Sequence, residues 1–116
     1  NMALDIKQEV TKYLKTATVH QNCTMTGDYK KGNMAARFLG SINDELLKEE
    51  ADQTQAFIDE ILSSDMPNAI MWIVPVCVSL NYRIDFVKML LQTYATDKNI
   101  GLLSFDASML LRNIKK

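Results

Sequence analysis

At 116 residues, with 47% hydrophobic and 23% charged side chains, the chain fits one globular domain able to bury a core of its own, and its composition argues against disorder. A formal net charge of -1 supplies no long-range field that would draw in nucleic acid or acidic lipid. Cys23 and Cys77 match neither a zinc spacing nor a redox pair and read as two reduced, small apolar residues of a cytoplasmic protein.

Asn1 stands ahead of Met2 and reads as a cloning remnant, so the domain is taken as 2–116. The first segment, about Leu4 to Met25, places Ile6, Val10, Tyr13, Leu14 and Ala17 on one helical face, with Lys7, Lys12, Lys15 and Thr18 outside it. Gly27 breaks this helix, and Asp28 is a good N-cap for the next because its carboxylate can accept from free backbone amides. The second helix, about Tyr29 to Glu49, has a wide apolar arc centred on Ala35, Leu39, Ile42 and Leu46, with Lys30, Arg37, Asp44 and Lys48 on the remaining stripe. Gly32 and Gly40 inside it each cost about 1 kcal/mol relative to alanine, and allow close helix approach or a bend.

Asp52 is expected to cap a short third helix whose buried stripe is Phe57, Ile58, Ile61 and Leu62. A turn over Ser63–Met66 leads to a helix with Pro67 in its first turn. The run Ala69–Val78 is apolar all round and rich in β-branched residues, so periodicity alone leaves a buried helix and a buried strand open. Pro75 argues against a central strand and would kink a helix. At ten residues the run is also too short for the ~20 that a bilayer requires. Asn81 to Ala95 returns to a helical pattern, Lys98–Gly101 connects, and a last helix over Ser104–Ile114 buries Ala107, Leu110, Leu111 and Ile114. Six segments with short links give three antiparallel pairs.

Three stretches carry a resemblance. Gly27-Asp28-Tyr29-Lys30-Lys31-Gly32-Asn33 resembles the GDYK-x-x-N opening of a bacterial family of unknown function built from HEAT-like helical hairpins. Asp65-Met66-Pro67-Asn68-Ala69-Ile70-Met71-Trp72 is similar to the turn and second helix of a HEAT repeat, and the closing Gly101–Ala107 with Leu110 and Leu111 is similar to that family's C-terminal pattern. Met71 departs from the pattern, which often has an arginine there. The resemblance implies an all-α fold of about six helices in three stacked antiparallel HEAT-like hairpins, a short right-handed α-solenoid, and tips Ala69–Val78 toward helix. It implies little about activity, since the family has no assigned one, and its members are reminiscent of small immunity or interaction modules.

The residues themselves assemble no catalytic centre by the usual routes. His20 is the single histidine, so a two-histidine zinc motif is absent, and it reads as a structural, hydrogen-bonded residue near the apolar face. The acidic pairs Asp44-Glu45, Glu49-Glu50 and Asp59-Glu60 point apart on helices and read as solvated. The groups Lys30, Lys31, Arg37 and Arg112, Lys115, Lys116 make too small a basic footprint for nucleic acid. Trp72 is expected to be buried, and the seven methionines to fill gaps in the core.

The expectation is a protein-binding module, adaptor or immunity-type, without catalytic residues, cofactor, metal or membrane span. Its candidate contacts are Asp28, Tyr29, Asn33, Arg37, Asp44 and Asp106. The first three also have a structural account, in which Asp28 caps, Tyr29 packs between hairpins and Asn33 bonds to backbone across the interface. An enzyme or ligand-binding protein with a pocket near His20, Cys23 and Tyr29 is the alternative from another class, and a homodimer that covers an open apolar end of the stack is a third.

Overall fold

The computed structural model describes residues 2–115, with side chains from 5 to 114. The reading of Asn1, the side chain of Lys115 and all of Lys116 lie outside the described residues. Within them the chain forms six α-helices, α1 (Met2–Thr26), α2 (Tyr29–Leu46), α3 (Ala51–Leu62), α4 (Pro67–Leu80), α5 (Ile84–Ala95) and α6 (Leu102–Lys115), with a 3-10 turn at Lys98–Ile100 before the last. The three hairpins α1/α2, α3/α4 and α5/α6 stack so that α4 packs against all five other helices.

That central place accounts for the apolar run that sequence left open. Ile70, Ile73, Val74, Val76 and Cys77 of α4 are buried on several sides at once, so a single apolar stripe would have been too narrow for this helix. Each of its fully buried isoleucines and valines contributes about 1.5–3 kcal/mol relative to exposure. Pro75 sits inside α4 at an exposed position, where its ring faces water instead of the core. Around α4 the core is completed by Tyr13 and Ala17, Leu39 and Leu46, Phe57, Ile58 and Ile61, then Val87, Leu91 and Ala107. Tyr13 and Phe57 meet edge to face, ring centroids 5.4 Å apart.

The connections follow local chemistry. Gly27 takes φ +79°, and its N–H and that of Asp28 both reach the Cys23 carbonyl, at 2.9 and 3.1 Å, closing α1 with a left-handed glycine. Asp28 then caps α2 by accepting from the Lys31 amide at 3.3 Å. Gly32 lets α1 and α2 approach: a Cβ there would stand 3.2 Å from the Cys23 Cβ. The cap expected from Asp52 is not formed. Asp52 lies inside the first turn of α3, Glu50 occupies the cap position without a side-chain bond, and the Asp52 carboxylate accepts only from the Gln53 amide, at 2.9 Å.

Between α4 and α5 two non-glycine residues are left-handed, Asn81 (φ 51°) and Arg83 (φ 53°). Asn81 ends α4 in a conformation that asparagine tolerates well. Arg83 is held there by its ion pair with Asp59 at 3.1 Å and by stacking over the Phe86 ring at 4.3 Å, while the Tyr82 hydroxyl donates to the same Asp59 carboxylate at 2.8 Å. No helix among the described residues is long and apolar enough to cross a membrane.

Candidate interaction groove

Three helices present matching faces to one open groove of about 860 Å³. The last turns of α1 contribute His20, Gln21, Thr24 and Met25, and the first turns of α4 contribute Pro67, Asn68, Met71 and Trp72. Both sets have the spacing i, i+1, i+4, i+5, which lines up one side of a helix. The third wall is the 3-10 turn and the start of α6, with Ile100, Leu102, Leu103 and Asp106. Its size falls within the ~300–1,000 Å³ usual for ligand sites, and its surface is largely apolar with a few polar groups.

The Trp72 ring is half-buried and stands edge-on to the His20 imidazole, centroids 5.1 Å apart at 88°. Its main chain is tied to the core. The Tyr13 hydroxyl donates to the Asn43 side-chain oxygen at 2.9 Å, and the Asn43 amide donates to the Trp72 carbonyl at 2.9 Å. Pro75 brings no N–H to the Met71 carbonyl, one residue before the Trp72 carbonyl that Asn43 reaches. The groove wall therefore stands on a polar chain running through α1, α2 and α4.

From Leu102 in the lining the apolar surface continues beyond the groove. Leu102, Phe105 and Met109 are spaced i, i+3, i+7 on α6 and are 78%, 64% and 43% exposed, on the side away from the Leu103, Ala107, Leu110, Ile114 stripe that meets the core. Met25 on the opposite wall is 77% exposed. Four methionines depart from the expected core role, since Met25, Met34, Met89 and Met109 are exposed, whereas Met71 is buried and Met66 packs half-buried against the core. Of the exposed four, Met25 lines the groove and gives its wall a flexible, polarisable contact.

His20 and Asp106 are the ionisable residues of the lining. Asp106 is exposed and, among the described residues, makes neither an ion pair nor a side-chain hydrogen bond; the His20 ring makes no hydrogen bond either, which departs from the hydrogen-bonded histidine expected. No group of three or more potential metal ligands occurs among the described residues. Cys23 and Cys77 are free and buried. Burial pushes the Cys77 thiol up to about 11, so it is protonated at neutral pH.

Of the six contacts expected from sequence, Asp106 alone lines the groove. Arg37 and Asp44 are exposed on α2 and outside it. Asp28 is accounted for as a cap. Tyr29 does not pack between hairpins; it is 75% exposed, since the turn at Gly27 points it away from the bundle. Asn33 is exposed and makes no side-chain hydrogen bond among the described residues. The His20, Cys23, Tyr29 constellation is not assembled: His20 lines the groove, Cys23 is packed against Gly32, and Tyr29 lies outside the lining.

Met25, Leu102 and Phe105 were missed as surface residues, while Trp72 packs against the core as expected and leaves one side open to the groove. One signal was present for Leu102 and Phe105, because α6 carries apolar residues on two nearly opposite sides and a single core can cover only one. Comparison with known protein families, with curated proteins and with solved structures gives no match.

Proposed function

We propose that the chain is a protein-interaction module that binds its partner through the groove between α1, α4 and α6. The observation that carries this reading is the exposed ridge Leu102, Phe105, Met109, which continues the apolar groove surface onto open solvent. Helical hairpin stacks offer broad shallow surfaces of this kind, and two unpaired buried cysteines suit an adaptor or immunity-type role in the cytoplasm.

The test is photo-crosslinking in native-host lysate with three baits: the unaltered chain, Leu102→Glu/Phe105→Glu, and Arg37→Glu/Asp44→Lys. One stoichiometric partner lost with the first double variant and kept with the second supports the groove. The reverse pattern moves the interface to the α2 stripe. With no partner on any folded bait, the module reading falls.

A second reading, a ligand-binding protein or enzyme with its pocket at His20, draws on the volume of the groove and on His20 in its wall. It loses weight because Cys23 and Tyr29 do not join His20 there.

A further inference from the structure

Resting on the groove as a protein-binding surface, we propose that its occupant is an amphipathic helix carrying a lysine or arginine beside its apolar stripe. Asp106 is the one carboxylate of the lining, and no lysine or arginine lines the groove with it. It sits on α6 one helical turn beyond Leu102, flanked by the exposed Phe105 and followed by Met109. An incoming cation alongside the apolar stripe gains an ion pair that no described residue supplies, whereas an incoming carboxylate is repelled.

The extent of the apolar surface selects a helix over a small amphiphile. A small molecule filling the groove would leave Phe105 and Met109 in water, because neither lines it. A helix, about 10 Å across, laid along α6 can cover the groove mouth and this ridge together. Leu102, Phe105 and Met109 give α6 an exposed apolar stripe along its length, against which the apolar stripe of a second helix can pack. Met25 on the far wall can adapt its rotamer to the incoming side chains.

Trp72, the single tryptophan, reports on the groove directly. The probes are three tryptophan-free helical peptides of about five turns, roughly 18 residues, with one apolar stripe and lysine, glutamine or glutamate flanking it. The expected result is a saturable change in Trp72 emission, with the lysine peptide bound about five- to ten-fold more tightly than the glutamate peptide at low salt. Asp106→Asn should remove that preference while leaving the glutamine peptide's affinity unchanged, and Leu102→Glu should abolish binding of all three.

Equal affinity for the three peptides, still lost in Leu102→Glu, would overturn the basic partner and leave the groove standing. If no peptide perturbs Trp72, the helix proposal is overturned, while the groove reading is decided separately by the crosslinking of the three baits. Concentration-dependent dimerisation of the unaltered chain that Leu102→Glu dissolves would assign the surface to a second copy, overturning the proposal.

Discussion

The Tyr13 hydroxyl donates to the Asn43 side-chain oxygen, and through the Asn43 amide this bond is carried to the main chain of Trp72, 2.9 Å at each step. Removing the middle member leaves the Tyr13 hydroxyl and the Trp72 carbonyl without that partner. Asn43→Ala is expected to destabilise the fold by about 2–4 kcal/mol, since each deserted buried group costs roughly 1–3 kcal/mol. Urea unfolding measures the loss. Trp72 emission of the still-folded variant should shift to the red as the groove wall loosens.

Alkaline pH should destabilise the protein through two buried acids. Burial raises Tyr13 above its ordinary 10.0, and the Cys77 thiol from 9.0 to about 11. Both groups hold their proton more tightly when folded, so their contribution is complete below the unfolded values and is lost as pH rises past them. Stability is expected to be level near neutrality and to fall by about 1.4 kcal/mol per pH unit for each group held protonated. Tyr13→Phe should flatten the steeper part of this limb while lowering neutral-pH stability through the lost bond to Asn43. Urea titrations at neutral and alkaline pH test both halves.

The two glycines of α2 should respond in opposite ways to alanine. A Cβ at Gly40 meets nothing within 4 Å, so Gly40→Ala is expected to stabilise by about 1 kcal/mol from helix propensity. At Gly32 the same Cβ would stand 3.2 Å from the Cys23 Cβ, which is fixed to its own helix backbone, so α1 and α2 must part. Gly32→Ala is expected to be less stable than the unaltered chain, as read from thermal midpoints of the pair.

Thr54 is buried, and its hydroxyl donates to the Leu46 carbonyl at 2.7 Å, satisfying an end carbonyl of α2 from α3. Thr54→Val should cost about 1–2 kcal/mol. The hydroxyl of exposed Thr11 also bonds a carbonyl, that of Lys7 at 2.9 Å, but water can replace it. Thr11→Val should stay within about 0.5 kcal/mol. Denaturant midpoints of the two variants separate a buried bond from a solvated one.

The helices and most of the core were legible along the chain. Phe57, Ile58, Ile61 and Leu62 announced α3, Gly27 and Asp28 marked the first turn, and Pro67 opened α4, because each rests on chemistry local to a few residues. Asn43 was legible in retrospect as the polar residue one turn from Leu39 on the buried face of α2, but its partners lie on two other helices. Ala69–Val78 needed the fold itself, since a helix surrounded on most sides has no periodic polar face to announce it.

The amino-acid sequence by itself determined five of the six helices and which of their stripes are apolar, because propensity, capping and periodicity act within one helix, while α4 was left open until its neighbours were in place. Only the tertiary structure decided that Met25, Trp72 and Leu102, from three separate helices, share a groove, that Asp106 lines it, and that Tyr29 and Arg37 do not. Periodicity tells which side of a helix is apolar; whether that side meets the core or water depends on how many neighbours reach it, and that number is set by the packing of all six helices.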